Sequence, residues 1–143
     1  MKKPDPEVGQ IIRFDYLWCD EADRGRIEGA KDRPCAVIVA RRREADGSQH
    51  VLLAPITHSS PQKGQAAIDI PARFSTMTGL DEARSWLIIS EVNRVDWRDP
   101  GIVPAKQGQW LVGELPKSVT RQAVDTVLEL ARNRKLRMTR RDV

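Results

Sequence analysis

The sequence predicts a mainly β chain whose antiparallel, partly closed sheet or small barrel carries one C-terminal α-helix. Three observations predict this. Short strand-like segments follow one another with no strand–helix–strand alternation. Only the last third of the chain carries an apolar stripe of helical period. Nothing matches GxGxxG or GxxxxGK[ST], so a parallel nucleotide-binding sheet is disfavoured.

Gly9–Trp18 reads as the first strand. Ile12, Phe14, Tyr16 and Trp18 share one face by period two, with Arg13 and Asp15 on the other. Cys19–Asp32 reads as a long polar loop, the kind that is often functional or mobile. Pro34–Arg43 contains Cys-Ala-Val-Ile-Val-Ala and reads as a buried strand. Ala45-Asp46-Gly47-Ser48 gives a turn signal of the Asp-Gly type, and Gln49–Thr57 is the returning strand. The polar loop His58-Ser59-Ser60-Pro61-Gln62-Lys63-Gly64-Gln65 leads to a short strand, Ala67–Ile70, stopped by Pro71. Ser85–Val95 holds a strong strand, and Leu111–Gly113 a shorter one. Pro116 opens a helix, being preorganised for a first turn. Ala123, Val124, Val127, Leu128 and Ala131 supply its stripe, and Asn133 is its nearest stop signal.

The 143 residues suit one domain with one sizeable core. We place that domain at residues 1–133, followed by a basic tail at 134–143. The longest unbroken apolar run is Cys35–Ala40, six residues against about 20 for a membrane span. The N-terminal Met-Lys-Lys has no apolar stretch behind it and is not a secretory signal. Two cysteines, Cys19 and Cys35, argue against a disulfide framework and for a reduced, cytoplasmic setting. With only two histidines besides, and no paired-ligand spacing, no metal or other cofactor is expected.

The net charge is +4, and it is uneven. Arg132–Val143 carries six basic residues and one acid, a net of +5, while the rest of the chain nets −1. Such a block reads as a solvated or frayed end that attracts polyanions.

Candidate chemistry gathers at one end of the central hairpin. Arg33 precedes the second strand, and Thr57 and His58 close the third. Centring the turn on Asp46-Gly47 sets Thr57 opposite Ala36 and puts Arg33 and Thr57 on opposite faces; one extra turn residue or a bulge would bring them to one face. An Arg guanidinium offers planar, bidentate donors to a phosphate, a Thr hydroxyl donates or orients, and a His moves protons near neutral pH. In RNA the 2′-hydroxyl is an internal nucleophile. Such a set therefore meets the minimum for phosphodiester cleavage without a metal. Arg24, Arg26, Lys31 and Ser59 flank these residues as RNA contacts. Among the four tryptophans, Trp97 between Asp96 and Arg98 is the exposed stacking candidate, whereas Trp86 reads as core.

Gly9-Gln10-Ile11-Ile12 with Phe14-Asp15 resembles the opening strand of the MazF/PemK/Kid family of toxin endoribonucleases. Arg33-Pro34-Cys35-Ala36-Val37-Ile38-Val39 resembles its Arg-Pro strand, and Leu53-Ala54-Pro55-Ile56-Thr57 its Pro-x-Thr strand. Gly79-Leu80, Ser85–Ile89 and Val92–Asp96 follow in the same order, and Gly113-Glu114-Leu115-Pro116 resembles the closing element. The matches span roughly residues 8–131. The resemblance implies an SH3-like toxin barrel, commonly a homodimer. It implies metal-independent, sequence-selective cleavage of single-stranded RNA to a 2′,3′-cyclic phosphate and a 5′-hydroxyl. It also implies an acidic antitoxin partner. Arg33 matches the family's catalytic arginine, Thr57 its catalytic threonine or serine, and Glu28 an often acidic position in the mobile loop by the site. On this reading Arg33 stabilises the phosphorane and shares in proton transfer, and Thr57 orients phosphate or nucleophile. His58 as a neighbouring proton shuttle is not carried by the resemblance.

Three departures stand out, one of them the basic tail after Asn133, which extends beyond the family's usual end. Lys31-Asp32 replaces the usual Gly-x before Arg-Pro, so that Asp32 either pairs with Arg33 or repels RNA. The Cys19–Asp32 loop is charged and not of the common Gly-Ser-Glu type. The alternatives are a gyrase-poisoning toxin of the same fold and a non-catalytic module that binds RNA or a partner.

Overall fold

The computed structural model describes residues 2–81 and 83–141. Its elements run β1 (Gln10–Phe14), α1 (Cys19–Asp23), β2 (Arg33–Ala40), β3 (His50–Thr57), β4 (Ala67–Ile70), α2 (Ser75–Thr78), β5 (Ser85–Ile88), β6 (Glu91–Asp96), β7 (Ile102–Val103), β8 (Gly113–Glu114), α3 (Lys117–Arg132) and β9 (Arg137–Arg140). The nine strands described form one mainly antiparallel sheet in the order β4-β5-β3-β2-β1-β7. β6 branches from β3, β8 pairs with β1, and β9 pairs with β6 in parallel. The sheet is open, with no strand pair closing it into a barrel among the described residues.

β3 bends the sheet by changing partners along its length. His50–Leu53 pair with β6, and Ile56–Thr57 pair with β5. Both faces of the sheet are consequently buried, which is why β2 is continuously apolar rather than alternating. One face packs Ala36, Ile38, Ala54 and Ile56 under Val119, Ala123 and Val127 of α3. The other gathers Ile12, Phe14, Tyr16, Cys35, Val37 and Leu53 in the hollow of the bend. The period-two face read for the first strand is therefore real. The strand itself ends at Phe14, earlier than the predicted Trp18.

Other boundaries moved for local reasons. The Asp-Gly signal does not make a two-residue hairpin. β2 stops at Ala40 and β3 begins at His50, with Gly47 at φ +89° and Asp46 capping Ser48 inside a longer loop. The predicted Ser85–Val95 strand breaks at Ile89-Ser90 into β5 and β6, which serve different halves of β3. In α3, Pro116 is the cap rather than a helical residue, and Leu128 and Ala131 face solvent while Val119 is buried.

Among the described residues, which run to Arg141, the basic end is folded rather than frayed. Arg134 adopts φ +57°, the left-handed turn usually given to Gly after a helix. Lys135 N–H then donates to the Leu130 carbonyl at 2.8 Å, which closes the helix and returns the chain to the sheet as β9. Arg137 pairs with Asp20 and Asp23 of α1 at 3.1 and 2.7 Å. The Arg141 side chain, 7% exposed, bonds Asp15 and Asn93 at 3.0 Å each and lies over the Phe14 ring. These arginines are spent on holding α1 and the end of β1. No described helix is long and apolar enough to cross a membrane.

Candidate active site

Arg33 opens β2 and Thr57 closes β3. Near the hairpin end the pairing runs Ala40↔Val51 and Val39↔Leu52. A bulge between Val37 and Val39 then shifts it to Val37↔Leu53, Ala36↔Ala54 and Cys35↔Pro55. Continued two residues, this register sets Arg33 across from Thr57 on the face that holds Cys35 and Val37. Without the bulge, Thr57 would oppose Pro34 and point away. The predicted opposition of Thr57 and Ala36 is thus replaced, and one of the two rescues foreseen for it, a bulge, is what the chain uses.

Two clefts meet at this pair. One, of about 640 Å³, is lined by Arg33, Thr57, His58 and Ser59 with Arg13, Lys31, Asp32, Asp81 and Gly79. The other, of about 440 Å³, is lined by Arg33, Thr57, Ser59 and Ser60 with Trp18, Asp20, Glu21, Arg24, Gln62, Gln65 and Glu91. Gly79 sits at φ +71° with no room for a Cβ against the Val112 carbonyl, so the chain passes close there.

Arg33 is held by stacking rather than by a carboxylate. Its guanidinium lies 5.2 Å from the Trp18 ring centroid, and its Nε is buried with no hydrogen-bond partner among the described residues. Asp32 does not pair with it. Arg13 takes that carboxylate instead, Nε to Oδ2 at 2.7 Å, and its hydrogen bond holds the Asp32 carboxyl below the usual range. Thr57 Oγ1 accepts the Ser59 N–H at 3.1 Å, which leaves its own O–H to donate elsewhere.

His58 faces acceptors on both sides. Its Nδ1 lies 2.9 Å from the Arg84 carbonyl and its Nε2 3.2 Å from Asp81 Oδ2. Ser85 Oγ is 3.2 Å from Nδ1, giving an Asp–His–Ser chain. This is not a serine-nucleophile triad: the carbonyl claims the Nδ1 proton, and Ser85 is 1% exposed.

The remaining predicted residues divide. Lys31 and Arg24 line opposite clefts. Arg26 pairs with Glu21 at 3.0 Å and lines neither, and Glu28 is exposed outside both. Trp97 is a correction. It is 5% exposed, packs in the hollow of the bend, and its Nε1 donates to the Pro4 carbonyl at 2.9 Å. Trp97 lies one residue beyond β6, where its N–H donates to the Gln49 carbonyl at 2.7 Å and its side chain joins Val95 in the same cluster, whatever the charge of its neighbours. Trp86, read as core, is half-buried and carries Arg84 at 4.7 Å over its ring.

Two residues escaped the sequence reading. The sequence offers Trp18 as a strand-face residue and as one of four tryptophans able to stack a base, and Glu91 only as part of the Ser85–Val95 strand; it gives neither a role beside Arg33. A lone carboxylate within the strand-like segment Trp86–Val95 is the available signal. Glu91 is 7% exposed, and its Oε1 accepts the Tyr16 O–H and the Cys19 N–H at 3.0 Å each, capping α1. Burial, then the Glu91 carboxylate, pushes the Tyr16 phenol well up, so Tyr16 stays a donor. No three His, Cys, Asp or Glu side chains among the described residues cluster as metal ligands. Comparison with protein-family models, curated proteins and solved structures gave no match.

Proposed function

We propose that this protein is a metal-independent, sequence-selective endoribonuclease of the MazF/PemK/Kid toxin type. The proposal includes an opened SH3-like barrel, a homodimer, cytoplasmic action on single-stranded RNA such as mRNA, and an acidic antitoxin. The family resemblance motivates the reading. The observation that carries it is the convergence of Arg33 and Thr57, from two strands, on one pair of clefts, with Arg33 Nε lacking a hydrogen-bond partner among the described residues. A buried guanidinium N–H left unpaired suits an anionic ligand, because an unmet charged donor is costly.

In the proposed reaction the RNA phosphate lies between Arg33 and the Thr57 hydroxyl. The 2′-hydroxyl loses its proton, the O2′–P bond forms, the P–O5′ bond breaks, and the 5′-oxygen takes a proton. Arg33 stabilises the added charge on phosphorus. Thr57 holds a non-bridging oxygen. His58, on the cleft wall, delivers the proton to the 5′-oxygen.

The test is incubation of the purified protein with mixed RNA in EDTA, followed by mapping of fragment ends. Cyclic phosphate and 5′-hydroxyl ends are expected, abolished by Arg33→Ala in a protein of unchanged circular dichroism. Undiminished cleavage by that variant overturns the site. Intact RNA with inhibited DNA supercoiling would move the protein to the gyrase-poisoning alternative.

A further inference from the structure

The proposed chemistry needs a proton acceptor, and the residues considered so far are poor ones. A guanidinium keeps its protons at any working pH. A threonine hydroxyl is no base. His58 has an acceptor facing each ring nitrogen. A carboxylate is the remaining choice, and five line the two clefts.

Four of the five are paired. Asp32 is held by Arg13 at 2.7 Å, Glu21 by Arg26 at 3.0 Å, Asp20 by Arg137 at 3.1 Å and Asp81 by His58 at 3.2 Å. Glu91 has no cation partner among the described residues, although it is the most buried of the five. Both of its hydrogen bonds fall on Oε1. Oε2 receives neither, and the side chain lines the 440 Å³ cleft together with Arg33 and Thr57. A buried carboxylate without a cation is expensive to keep unless it has work to do.

Resting on the endoribonuclease reading, we propose that Glu91 is the catalytic base of this cleft. Its Oε2 takes the 2′-hydroxyl proton as the O2′–P bond forms, and the proton then passes to solvent. The Tyr16 O–H and the Cys19 N–H at the start of α1 hold Oε1 and so aim Oε2. The other charged groups around it are Arg33 from β2, Asp20, Glu21 and Arg24 from α1 and its end, and Arg137, which pairs with Glu91 in the β6–β9 register. Cys19, the thiol nearest Glu91, is pushed up chiefly by burial.

Glu91→Gln tests the assignment, because an amide oxygen still accepts both Oε1 bonds and only proton acceptance is lost. Wild type, Glu91→Gln and Arg33→Ala are compared on one short single-stranded RNA. Single-turnover rate, RNA affinity and melting temperature are measured from pH 5 to 9. For Glu91→Gln the expected result is a rate about 10²–10⁴-fold lower, with affinity and melting temperature unchanged, and loss of the rising acid limb expected of wild type. A merely structural Glu91 would leave that limb in place and lower the melting temperature. A Glu91→Gln rate and pH profile like wild type overturn the assignment while leaving the nuclease reading intact. Failure of wild type to cleave any RNA overturns both.

Discussion

Arg33 and Thr57 line the same two clefts, and the register that leads to them carries one extra residue in β2. The bulge between Val37 and Val39 changes the pairing from Val39↔Leu52 to Val37↔Leu53, and with it the face that the end of each strand presents. The candidate site is thus a consequence of a backbone irregularity some four to five residues away.

Stacking on Trp18 orders Arg33, so planarity should matter as much as charge. Arg33→Lys keeps the charge but loses the stacked fork. We expect it to lose most RNA cleavage while retaining salt-sensitive RNA binding. Trp18→Ala is expected to weaken binding, whereas Trp97→Ala is expected to cost about 3–5 kcal/mol of stability without changing the affinity of the folded fraction. Denaturant titrations beside RNA-binding isotherms check both. Weakened RNA binding by a folded Trp97 variant would restore that residue to the site.

The basic end divides into structural and exposed arginines. Arg141→Ala is expected to destabilise the fold by about 2 kcal/mol, since it strips Asp15 and Asn93 of a buried donor. Arg132, Arg134 and Lys135 are exposed. Replacing these three with Gln is expected to reduce the salt slope of single-stranded RNA binding by about 2 with stability kept. An unchanged slope would make this end a bystander in RNA binding. Deleting the whole segment mixes the two effects and is the poorer experiment.

Asp96 gives a pH signature. The Arg98 guanidinium beside it holds its carboxyl at about 2, below an unfolded value of roughly 3.9. A depressed folded value means stability that is present above the unfolded value and is lost as pH falls toward 2. The stability gap between wild type and Asp96→Asn is therefore expected at pH 7 and should close by pH 2. Urea midpoints across that range measure it.

Arg134 occupies a left-handed backbone position without being glycine. Arg134→Gly is expected to stabilise the fold by about 0.5–1 kcal/mol by relieving that conformation. A lower melting temperature would mean that the Arg134 side chain contributes more than its backbone costs.

Local sequence carried much of the architecture. The continuous apolar run Cys35–Ala40 announced a strand buried on both faces. The alternation from Ile12 to Tyr16 announced one face, and Pro116 with the stripe behind it announced α3. These are near-neighbour properties, set by side-chain size and backbone period. The sequence also brought Arg33, Thr57 and His58 to one end of the hairpin, since strand length alone does that.

The tertiary structure decided the rest. Whether Arg33 and Thr57 share a face depends on a bulge, and no composition rule marks Ile38 as the extra residue. Whether Trp97 is exposed depends on which way the chain turns as it leaves β6, and it turns into the cluster that holds Val95. Asp32 neutralises Arg13 and not Arg33 because strand pairing sets Arg13 beside Pro34. Glu91, unremarkable in its strand, is left without a cation partner among the described residues: packing gives Asp20, Asp32 and Asp81 to partners distant in the chain, and Glu21 goes to nearby Arg26. Partners of that kind are chosen by packing across the sheet, which short-range pattern does not encode.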